Sequence, residues 1–410
     1  MQYVIIGGSF AAVGAVEGIR AVDPDGSVTV VADEGFPAYS RPLISYLLAG
    51  KTDPEKVPYK DAEYADRLRV NLIKARAVAL DGQAKTVRLN NGQTLGYDRL
   101  LLAVGGKPAL FHTYSQMREN VVGFYTLADA ERVQTLIRAG SRAVVIGAGL
   151  VGLKAAEALH ARHANVTVVD LAETLLNATL DQTASDIVKR HLEQQGIAFR
   201  LGVRVVEVTG NVIAERVILS SGESLSADLV VIAAGSAPDL ELSRMAGLSV
   251  KRGILVDECL ETSVPGIYAA GDVAEAASFF TGEKTVNALL PAALEQGRAA
   301  GRAMAGKPEC YRGTLPLNST RLLGLTVMSA GQSKEEGLTK IWPDRKSYRK
   351  VVFRDGVPVG LIAVNKAEKI GIITDLIRRG VNVSGSQELL LGDSLSGMVF
   401  DRCFSTGMEG

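Results

Sequence analysis

The chain has 410 residues, which is too many for one ordinary hydrophobic core, so its length predicts two or three domains. Lysine plus arginine and aspartate plus glutamate number 45 each, and this balance excludes the strong overall charge that attracts nucleic acid. The first residues lack the basic stretch and cleavage pattern of a signal peptide, and the apolar runs are too short to span a bilayer, so we expect a cytoplasmic protein.

The first predicted element is a βαβ unit over residues 3–31, "YVIIGGSFAAVGAVEGIRAVDPDGSVTVV". An apolar strand, a glycine turn, an alanine-rich helix and a β-branched strand fill about 30 residues, the size that dinucleotide binding needs. Ser9 replaces the usual second glycine, and its hydroxyl is suited to a phosphate; the alternative is a turn without a ligand. Of the acids after the second strand, we prefer Glu34 to Asp33 for the ribose. The predicted turn residues are Gly7, Gly8, Ser9 and Ala12.

A second βαβ unit follows at 143–170, "AVVIGAGLVGLKAAEALHARHANVTVVD". Its glycines allow a tight turn, close approach of a pyrophosphate and close helix packing, and the helix N-terminus attracts phosphate. Asp170 ends the second strand, where a carboxylate accepts hydrogen bonds from ribose hydroxyls and repels a 2′-phosphate. No arginine follows directly in "LAET", so NADH is favoured over NADPH. The predicted contact residues are Gly147, Gly149, Leu150 and Gly152.

A later strand and turn is repeated as well, as "YDRLLLAVGGKP" at 97–108 and "ADLVVIAAGSAP" at 227–238. One G-x-G-x-x-G match is weak evidence, but two βαβ units with the same later strand are strong evidence of a duplicated dinucleotide fold. The turn residues predicted to face the cofactors are Ala103, Gly105 and Gly235.

The segment "GILVDECLETSVPGIYAAGDVAE" at 253–275 completes the pattern. With these motifs the chain resembles the FAD-dependent pyridine nucleotide-disulfide oxidoreductase superfamily. It most resembles the branch of NADH:rubredoxin and ferredoxin reductases, NADH oxidases and nitrite reductase flavin domains. The resemblance implies that Asp272, with Gly271, binds the flavin's ribityl chain. It also implies that Arg41 and Pro42 lie along FAD.

The resemblance further implies an α/β fold with two Rossmann-like, glutathione-reductase-like domains and an α+β C-terminal interface domain. The FAD-binding domain would cover 1–110 and 236–313, the NAD-binding domain 111–235 and the interface domain 314–410. The backbone near Val78, in a short sheet, would meet the adenine of FAD. Independently, "RKVVFRDGVPVGLIAVN" predicts a hairpin with a "DG" turn, and Gly380 is well placed to end the helix after it.

The family's thiol chemistry is not expected in this chain. The single-cysteine position of the coenzyme A disulfide reductases falls at about Pro42, and no cysteine precedes Cys259. Cys259, Cys310 and Cys403 form no CxxC pair, so we expect neither an iron–sulfur cluster nor any other metal site.

A second departure concerns charge. In many relatives a glutamate of the NAD motif sits near the nicotinamide and pairs with a lysine of the FAD-side segment. This chain has Lys154 at the glutamate position and Tyr46 near the lysine position. One hypothesis places Lys154 at the flavin edge, where it raises the flavin potential. The alternative is that Lys154 points to solvent or pairs with Glu157.

The predicted function is an FAD-dependent NADH:acceptor oxidoreductase that passes electrons to a small redox protein such as rubredoxin or ferredoxin. Two alternatives stay open: an NADH oxidase that reduces oxygen, and a flavoprotein subunit that docks in a larger electron-transfer complex. By analogy the C-terminal domain would support a homodimer. No membrane span and no nucleic-acid partner are expected.

Overall fold

A computed structural model describes residues 1–35, 39–109 and 118–392 of the chain. The described residues form two compact units. The first unit consists of Met1–Leu43, Thr52–Lys107 and Ser236–Pro316; the second consists of Ile44–Lys51 with the described parts of Pro108–Gly235 and Leu317–Gly410. Ile44–Lys51 thus groups with the second unit, although it lies within the predicted span 1–110. The division into three domains stays a prediction.

The strands are named in chain order. They are β1 (Gln2–Ile6), β2 (Ser27–Val31), β3 (Val70–Ile73), β4 (Ala77–Asp81), β5 (Thr86–Leu89), β6 (Thr94–Gly96), β7 (Arg99–Leu102), β8 (Gly106–Pro108), β9 (Val121–Gly123), β10 (Arg142–Ile146), β11 (Asn165–Val169), β12 (Ala198–Arg200), β13 (Val205–Thr209), β14 (Arg216–Leu219), β15 (Ser224–Ser226), β16 (Leu229–Ile232), β17 (Ser236–Pro238), β18 (Ile254–Leu255), β19 (Ile267–Ala269), β20 (Ala274–Ala277), β21 (Lys284–Thr285), β22 (Leu317–Leu322), β23 (Leu325–Gly331), β24 (Leu338–Ile341), β25 (Tyr348–Arg354) and β26 (Val357–Val364).

The helices are named in the same way. They are α1 (Phe10–Arg20), α2 (Leu43–Leu48), α3 (Tyr64–Arg67), α4 (Leu127–Leu136), α5 (Leu150–Ala161), α6 (Gln182–Gln194), α7 (Glu241–Met245), α8 (Leu290–Met304) and α9 (Ile370–Arg379), with short 3₁₀ helices at Pro54–Lys56 and Gln387–Leu391. In the part of the chain that the structure describes, no helix is both long and apolar enough to cross a membrane.

Each unit contains a five-stranded sheet of parallel strands, and the two sheets are built alike. The orders are β19-β7-β1-β2-β3 and β12-β11-β10-β16-β9. In the first sheet Ile6, the last residue of β1, lies opposite the last residues of β2 and β7. In the second, Ile146 of β10 lies opposite the last residues of β11 and β16 in the same register. The duplication predicted from the sequence is therefore present in the fold.

The central strands are apolar because parallel strands of such folds are covered on both faces. β1 and β10 are buried at every position after the first, and β16 is buried throughout. Continuous runs such as "YVII" and "AVVI" therefore lie in the cores of their units. The carboxyl ends of these strands lead into the glycine turns.

Helices α1 and α8 pack closely within the first unit. A Cβ added at Gly297 would fall on the carbonyl of Ala11, and one at Gly14 would fall on the carbonyl of Leu294. Gly18 and Gly301 make equally close approaches one turn further along. Both helices thus carry a G-x-x-x-G stripe that lets their backbones touch.

The C-terminal part of the second unit contains an antiparallel sheet of order β22-β23-β26-β25-β24. Asp355 and Gly356 join β25 to β26 with φ values of 50° and 79°, as a tight primed hairpin turn requires. α9 ends at Gly380, which has a φ of 63° and a left-handed conformation. The predicted hairpin and helix end are both confirmed.

Candidate functional site

The first glycine turn joins β1 to α1 and is shaped for a phosphate. Gly7 has a φ of 116°, and its N–H donates to the last carbonyl of β2 at 2.8 Å. A Cβ there would meet the carbonyl of Ala103, so only glycine fits between these strand ends. Ser9 precedes α1 as its N-cap, but its hydroxyl makes no capping hydrogen bond. That hydroxyl and the free N–H groups of the first helical turn are therefore available to an anion.

Glu34 and Arg41 are brought together at one side of the first unit. The Tyr39 hydroxyl donates to Glu34 Oε2 at 2.5 Å, and Arg41 donates to Glu34 Oε1 at 3.3 Å. The Arg41 guanidinium also lies 5.5 Å from the centre of the Tyr39 ring. Pro42 follows directly and lies just before α2. The carboxylate suited to a ribose is thus fixed beside a cation suited to a phosphate.

Asp272 lies on the turn after β19, beside Gly271. The Gly271 N–H donates to Gln296 Oε1 at 2.8 Å, and Gln296 Nε2 donates to the Tyr311 hydroxyl at 3.3 Å. Burial raises the pKa of Asp272, and the charge of Arg41 opposes that shift only in part. Among the described residues, none donates a hydrogen bond to its carboxylate. A desolvated carboxylate without a donor fits a ligand that brings hydroxyl groups, such as the ribityl chain of FAD.

The remaining predicted residues of the first unit lie on its turns and its small sheet. Val78 sits at an irregularity of the β4–β5 pairing, between Ala77 and Ala79, where the register shifts. A bulge leaves backbone groups out of the ladder, as a contact to an adenine requires. Gly105 has a φ of 70°, and its carbonyl accepts from the Asp239 N–H at 3.0 Å. Ala12 is fully buried in α1, so it packs the helix onto the sheet.

The second glycine turn repeats the first. Gly147 also has a φ of 116°, and its N–H donates to the last carbonyl of β11 at 2.8 Å. A Cβ at Gly152 would fall on the carbonyl of Gly147, so this glycine permits close packing of α5 on the turn. A Cβ at Gly149 would meet nothing within 4 Å. The space over Gly149 is therefore open to a ligand.

That space belongs to a cleft of about 580 Å³ in the second unit. The structure brings together in its walls five of the six predicted contact residues of this unit, which are Gly147, Gly149, Leu150, Asp170 and Gly235. The sixth, Gly152, lies beneath the turn. Val151 and Leu171 also line the cleft although they are 47% and 70% exposed. Exposed apolar side chains around a polar turn are typical of a ligand site.

The Asp170 carboxylate is oriented by the backbone. The Ala148 N–H donates to its Oδ2, and the Ala172 N–H donates to its Oδ1 at 2.7 Å. These bonds hold the carboxylate at the wall of the cleft. The remaining lone pairs of the two oxygens can accept hydroxyl groups of a ribose.

Lys154 lies in a buried polar cluster of the second unit. Its ammonium group donates to Glu157 and, at 3.1 Å, to the carbonyl of Arg321, and it lies 4.4 Å from the centre of the Tyr46 ring. Lys51 also pairs with Glu157 at 2.9 Å. The side chains of Lys154 and Glu157 are only 14% and 7% exposed. The structure shows that Lys154 pairs with Glu157, which is the alternative given in the sequence analysis.

The protonation of Glu157 follows from this cluster. Burial alone would raise its pKa, but hydrogen bonds and charge from the two lysines outweigh burial, and the net pKa is lowered. Glu157 is therefore ionised at neutral pH and holds both ammonium groups. No sequence motif indicates this role for Lys51.

The two cysteines that the structure describes lie in surroundings that favour the neutral thiol. The Cys310 thiol donates to Glu258 at 3.0 Å, and that hydrogen bond raises its pKa. Burial raises the pKa of Cys259. Cys403 lies outside the described residues. Across the described ranges, no group of three or more His, Cys, Asp or Glu side chains could hold a metal ion.

Two other residues of these sites were not singled out from the sequence. Gln296 fixes the turn that carries Asp272, and Arg204 lies in the wall of the cleft beside Asp170. Both come from segments distant in sequence from the turn they serve. Their places beside these turns can therefore be recognised only in the folded structure.

Two glycine turns of the same geometry, each at the carboxyl end of a parallel sheet, define a protein that binds two dinucleotides. The profile of the pyridine nucleotide-disulphide oxidoreductase family matches residues 1–297. The chain belongs to this family. It is an NAD(P)H-dependent oxidoreductase that uses FAD, as its motifs predicted.

The chain is also similar to individual members. It is 34% identical over 403 residues to the NADH-dependent phenylglyoxylate dehydrogenase subunit epsilon of Aromatoleum evansii, covering 96% of both chains. It is 30% identical to the assimilatory nitrate reductase electron transfer subunit of Bacillus subtilis, covering 98% of this chain and 52% of the relative, about half its length. Its fold matches the reductase in the covalent putidaredoxin reductase–putidaredoxin complex with a TM-score of 0.90 and 25% identity, over 100% and 99% of the two chains.

Proposed function

We propose that the protein is an FAD-dependent NADH:acceptor oxidoreductase that delivers electrons to a small redox protein. The main observation in support of the proposal is that the glycine turn occurs twice with the same backbone geometry. Gly7 and Gly147 share a φ of 116° and the same 2.8 Å bond to the neighbouring strand. Relatives that are named as electron-transfer subunits or redox-protein reductases support the choice of acceptor. We place this activity in the cytoplasm, because NADH is an intracellular reductant.

We assign FAD to the first unit. The N-terminus of α1, with the Ser9 hydroxyl, would hold the pyrophosphate, and Glu34 would accept the adenosine ribose. The desolvated Asp272 carboxylate would accept ribityl hydroxyls, while Arg41 supplies the opposite charge. When bound, FAD supplies the hydride- and electron-accepting chemistry, and the chain supplies position and electrostatics.

We assign NADH to the cleft of the second unit. The turn from Gly147 to Gly149 would hold the pyrophosphate, and Asp170 would accept the ribose hydroxyls. Its carboxylate would face the place where NADPH carries a 2′-phosphate, so charge repulsion would favour NADH.

Lys154 is proposed as a residue that tunes electron transfer. Glu157 and the Tyr46 ring hold its ammonium group in one place, at the position where the family resemblance implies a glutamate near the nicotinamide. A cation near reduced flavin favours the electron-rich form and raises the flavin potential. A Lys154→Glu variant that keeps both the flavin potential and the rate of hydride transfer would contradict this role.

A second candidate is a subunit that docks in a larger electron-transfer complex. It is favoured by the similarity over 96% of both chains to a relative named as the epsilon subunit of an NADH-dependent dehydrogenase. Such a subunit would be reduced slowly by NADH alone, and a partner would restore the rate.

An anaerobic titration of the purified protein, followed by flavin absorbance, tests the proposal. Stoichiometric NADH should bleach the flavin rapidly, and NADPH should act poorly. An Asp170→Ala variant should narrow the difference between the rates at which NADH and NADPH bleach the flavin. Slow bleaching that a partner accelerates would favour the docking subunit, and fast NADH consumption in air alone would favour an oxidase. No bleaching by NADH under any condition would refute the proposed function.

A further inference from the structure

A chain of four hydrogen bonds runs through the first unit from the Gly271 turn to the protein surface. The Gly271 N–H donates to Gln296 Oε1 at 2.8 Å, and Gln296 Nε2 donates to the Tyr311 hydroxyl at 3.3 Å. The Tyr311 hydroxyl lies 2.9 Å from Thr314 Oγ1, and Thr314 donates to Glu295 Oε2 at 2.5 Å. The three middle members, Gln296, Tyr311 and Thr314, are buried, whereas Glu295 is exposed.

The two ends of this chain fix the direction of every bond in it. A carboxylate only accepts, so the single proton of the Thr314 hydroxyl is donated to Glu295. Thr314 must then accept from the Tyr311 hydroxyl, and Tyr311 in turn accepts from the Gln296 amide. Burial raises the pKa of Tyr311, which keeps the phenol protonated and able to donate at neutral pH. A member that reversed its bond would leave a buried polar group unpaired, at a cost in free energy.

The segment 311–314, which follows α8, supplies the two hydroxyl groups of the chain. Glu295 and Gln296 are neighbours in α8, so the chain leaves this helix at one residue and returns to it at the next. A Cβ at Gly313 would fall on the backbone of Phe279, between β20 and β21, so the segment is in close contact with that hairpin. The hydroxyl groups are therefore held in place by the backbone that carries them.

The Gly271 turn, at the inner end of the chain, is wedged between two helices. Gly271 has a φ of 81°, and a Cβ there would meet the Cβ atoms of Ala11 in α1 and Ala293 in α8. The hydrogen bond from the Gly271 N–H to Gln296 adds a direction to this packing, because hydrogen bonds weaken steeply as they bend. Asp272 is the next residue, so the orientation of its carboxylate depends on this bond.

We propose that Tyr311 and Thr314 are positioning residues for FAD; this inference rests on the proposed function, which assigns FAD to the first unit. Their hydrogen bonds fix the Gln296 amide, and Gln296 fixes the direction in which Asp272 offers its carboxylate to the ribityl hydroxyls. Buried polar groups in one satisfied network support one another, so the loss of one hydroxyl loosens the amide as well. The two residues therefore act on the affinity for FAD through the chain.

The dissociation constant of FAD, measured by flavin fluorescence on serial dilution of the FAD-loaded full-length protein, tests the inference. Tyr311→Phe and Thr314→Val each remove one hydroxyl and keep the shape of the side chain. Each should weaken FAD binding roughly 5- to 30-fold, the equivalent of one or two net hydrogen bonds. Thr314→Ser keeps the hydroxyl and should retain the wild-type affinity. The matched control is Tyr3→Phe, which removes a hydroxyl that bonds to Asp23 at 2.8 Å near the amino end of β1 and should leave FAD binding unchanged.

A double variant shows whether the hydroxyl groups act through Gln296. Gln296→Met cuts the chain at the turn, so adding Tyr311→Phe to it should weaken FAD binding no further. Urea unfolding of the same variants without FAD separates positioning from stability. Lower stability with unchanged FAD affinity in Tyr311→Phe and Thr314→Val would overturn the inference, as would full additivity in the double variant or an equal loss of affinity in Tyr3→Phe. Wild-type protein that binds no FAD would instead refute the proposed function itself.

Discussion

Asp272, which we assign to FAD, is a residue at which folding stability and the proposed cofactor binding make opposite demands. Burial raises the pKa of its carboxyl group, so the folded apoprotein binds this proton more tightly than the unfolded chain does. Folding stability therefore decreases as the pH rises from the unfolded pKa through the higher folded pKa. At neutral pH the ionised, desolvated carboxylate carries an energetic cost in the absence of a ligand.

The prediction is that Asp272→Asn makes the apoprotein more stable at pH 7 and weakens its retention of FAD. The stability gain should vanish below about pH 4, where the carboxyl group is protonated in both states. Urea unfolding of apoprotein between pH 4 and pH 8, with FAD binding measured in parallel, checks both parts. A gain that is the same at all pH values would show that ionisation of Asp272 is not the cause.

The second prediction at this scale concerns the pair of Tyr46 and Lys154. Lys154→Glu would place a second carboxylate beside the buried Glu157, with only Lys51 left to balance both. We expect a loss of about 3 kcal/mol in the free energy of unfolding, the low end for breaking a buried pair, because Lys51 remains. Adding Tyr46→Lys places a cation opposite the new carboxylate and should recover part of the loss in the free energy of unfolding.

Urea unfolding of the flavin-loaded single and double variants measures this coupling. Lys154→Met is the control, since it removes the charge and keeps the length of the side chain. A double variant that is no more stable than Lys154→Glu would mean that a lysine at position 46 does not compensate for the added carboxylate at position 154.

Helices α1 and α8 are in direct backbone contact within the first unit. Their glycine stripes let the two backbones touch, and α1 begins at the first glycine turn. α8 carries Gln296, which holds the Gly271 turn. The contact between the helices therefore sets the spacing between the two turns to which we assign FAD.

The prediction for this contact is that Gly297→Ala destabilises the protein by about 1–3 kcal/mol, because the added methyl group falls on the Ala11 carbonyl. FAD should also dissociate faster. Gly371→Ala in α9 is the matched control, since a Cβ there meets nothing within 4 Å, and it should be neutral or stabilise by about 0.5 kcal/mol. Equal effects of the two substitutions on urea unfolding would contradict close packing of α1 on α8.

The elements that could be predicted from the sequence are those whose signal is local. Glycine spacing and β-branched runs identified both βαβ units, and the "DG" turn identified the β25–β26 hairpin. The contacts of Lys51, Arg204 and Gln296 could not be predicted, because each joins segments distant in sequence and none carries a motif. The G-x-x-x-G spacing in α1 and α8 was visible, but a helix pair can be recognised only once both partners are placed.

At the scale of the whole molecule, we expect each of the two units to be stabilised by a different dinucleotide. A ligand that binds only the folded state stabilises it by about 2.7 kcal/mol when its free concentration is 100 times its Kd. Amide hydrogens that exchange by opening of the binding unit should then exchange about 100-fold more slowly. Hydrogen exchange thus reports which unit each dinucleotide binds.

We predict that FAD added to apoprotein slows exchange at residues 7–13 and 271–273, in the first unit. ADP-ribose should slow exchange at residues 147–153 and 203–205, in the second unit, where the cleft and Arg204 lie. The Asp170→Ala variant should lose protection by ADP-ribose and keep protection by FAD, because its substitution touches only the second turn. Protection of residues 7–13 by ADP-ribose would reverse the assignment of the two turns, since their backbone geometry is the same and only the side chains around them distinguish the cofactors.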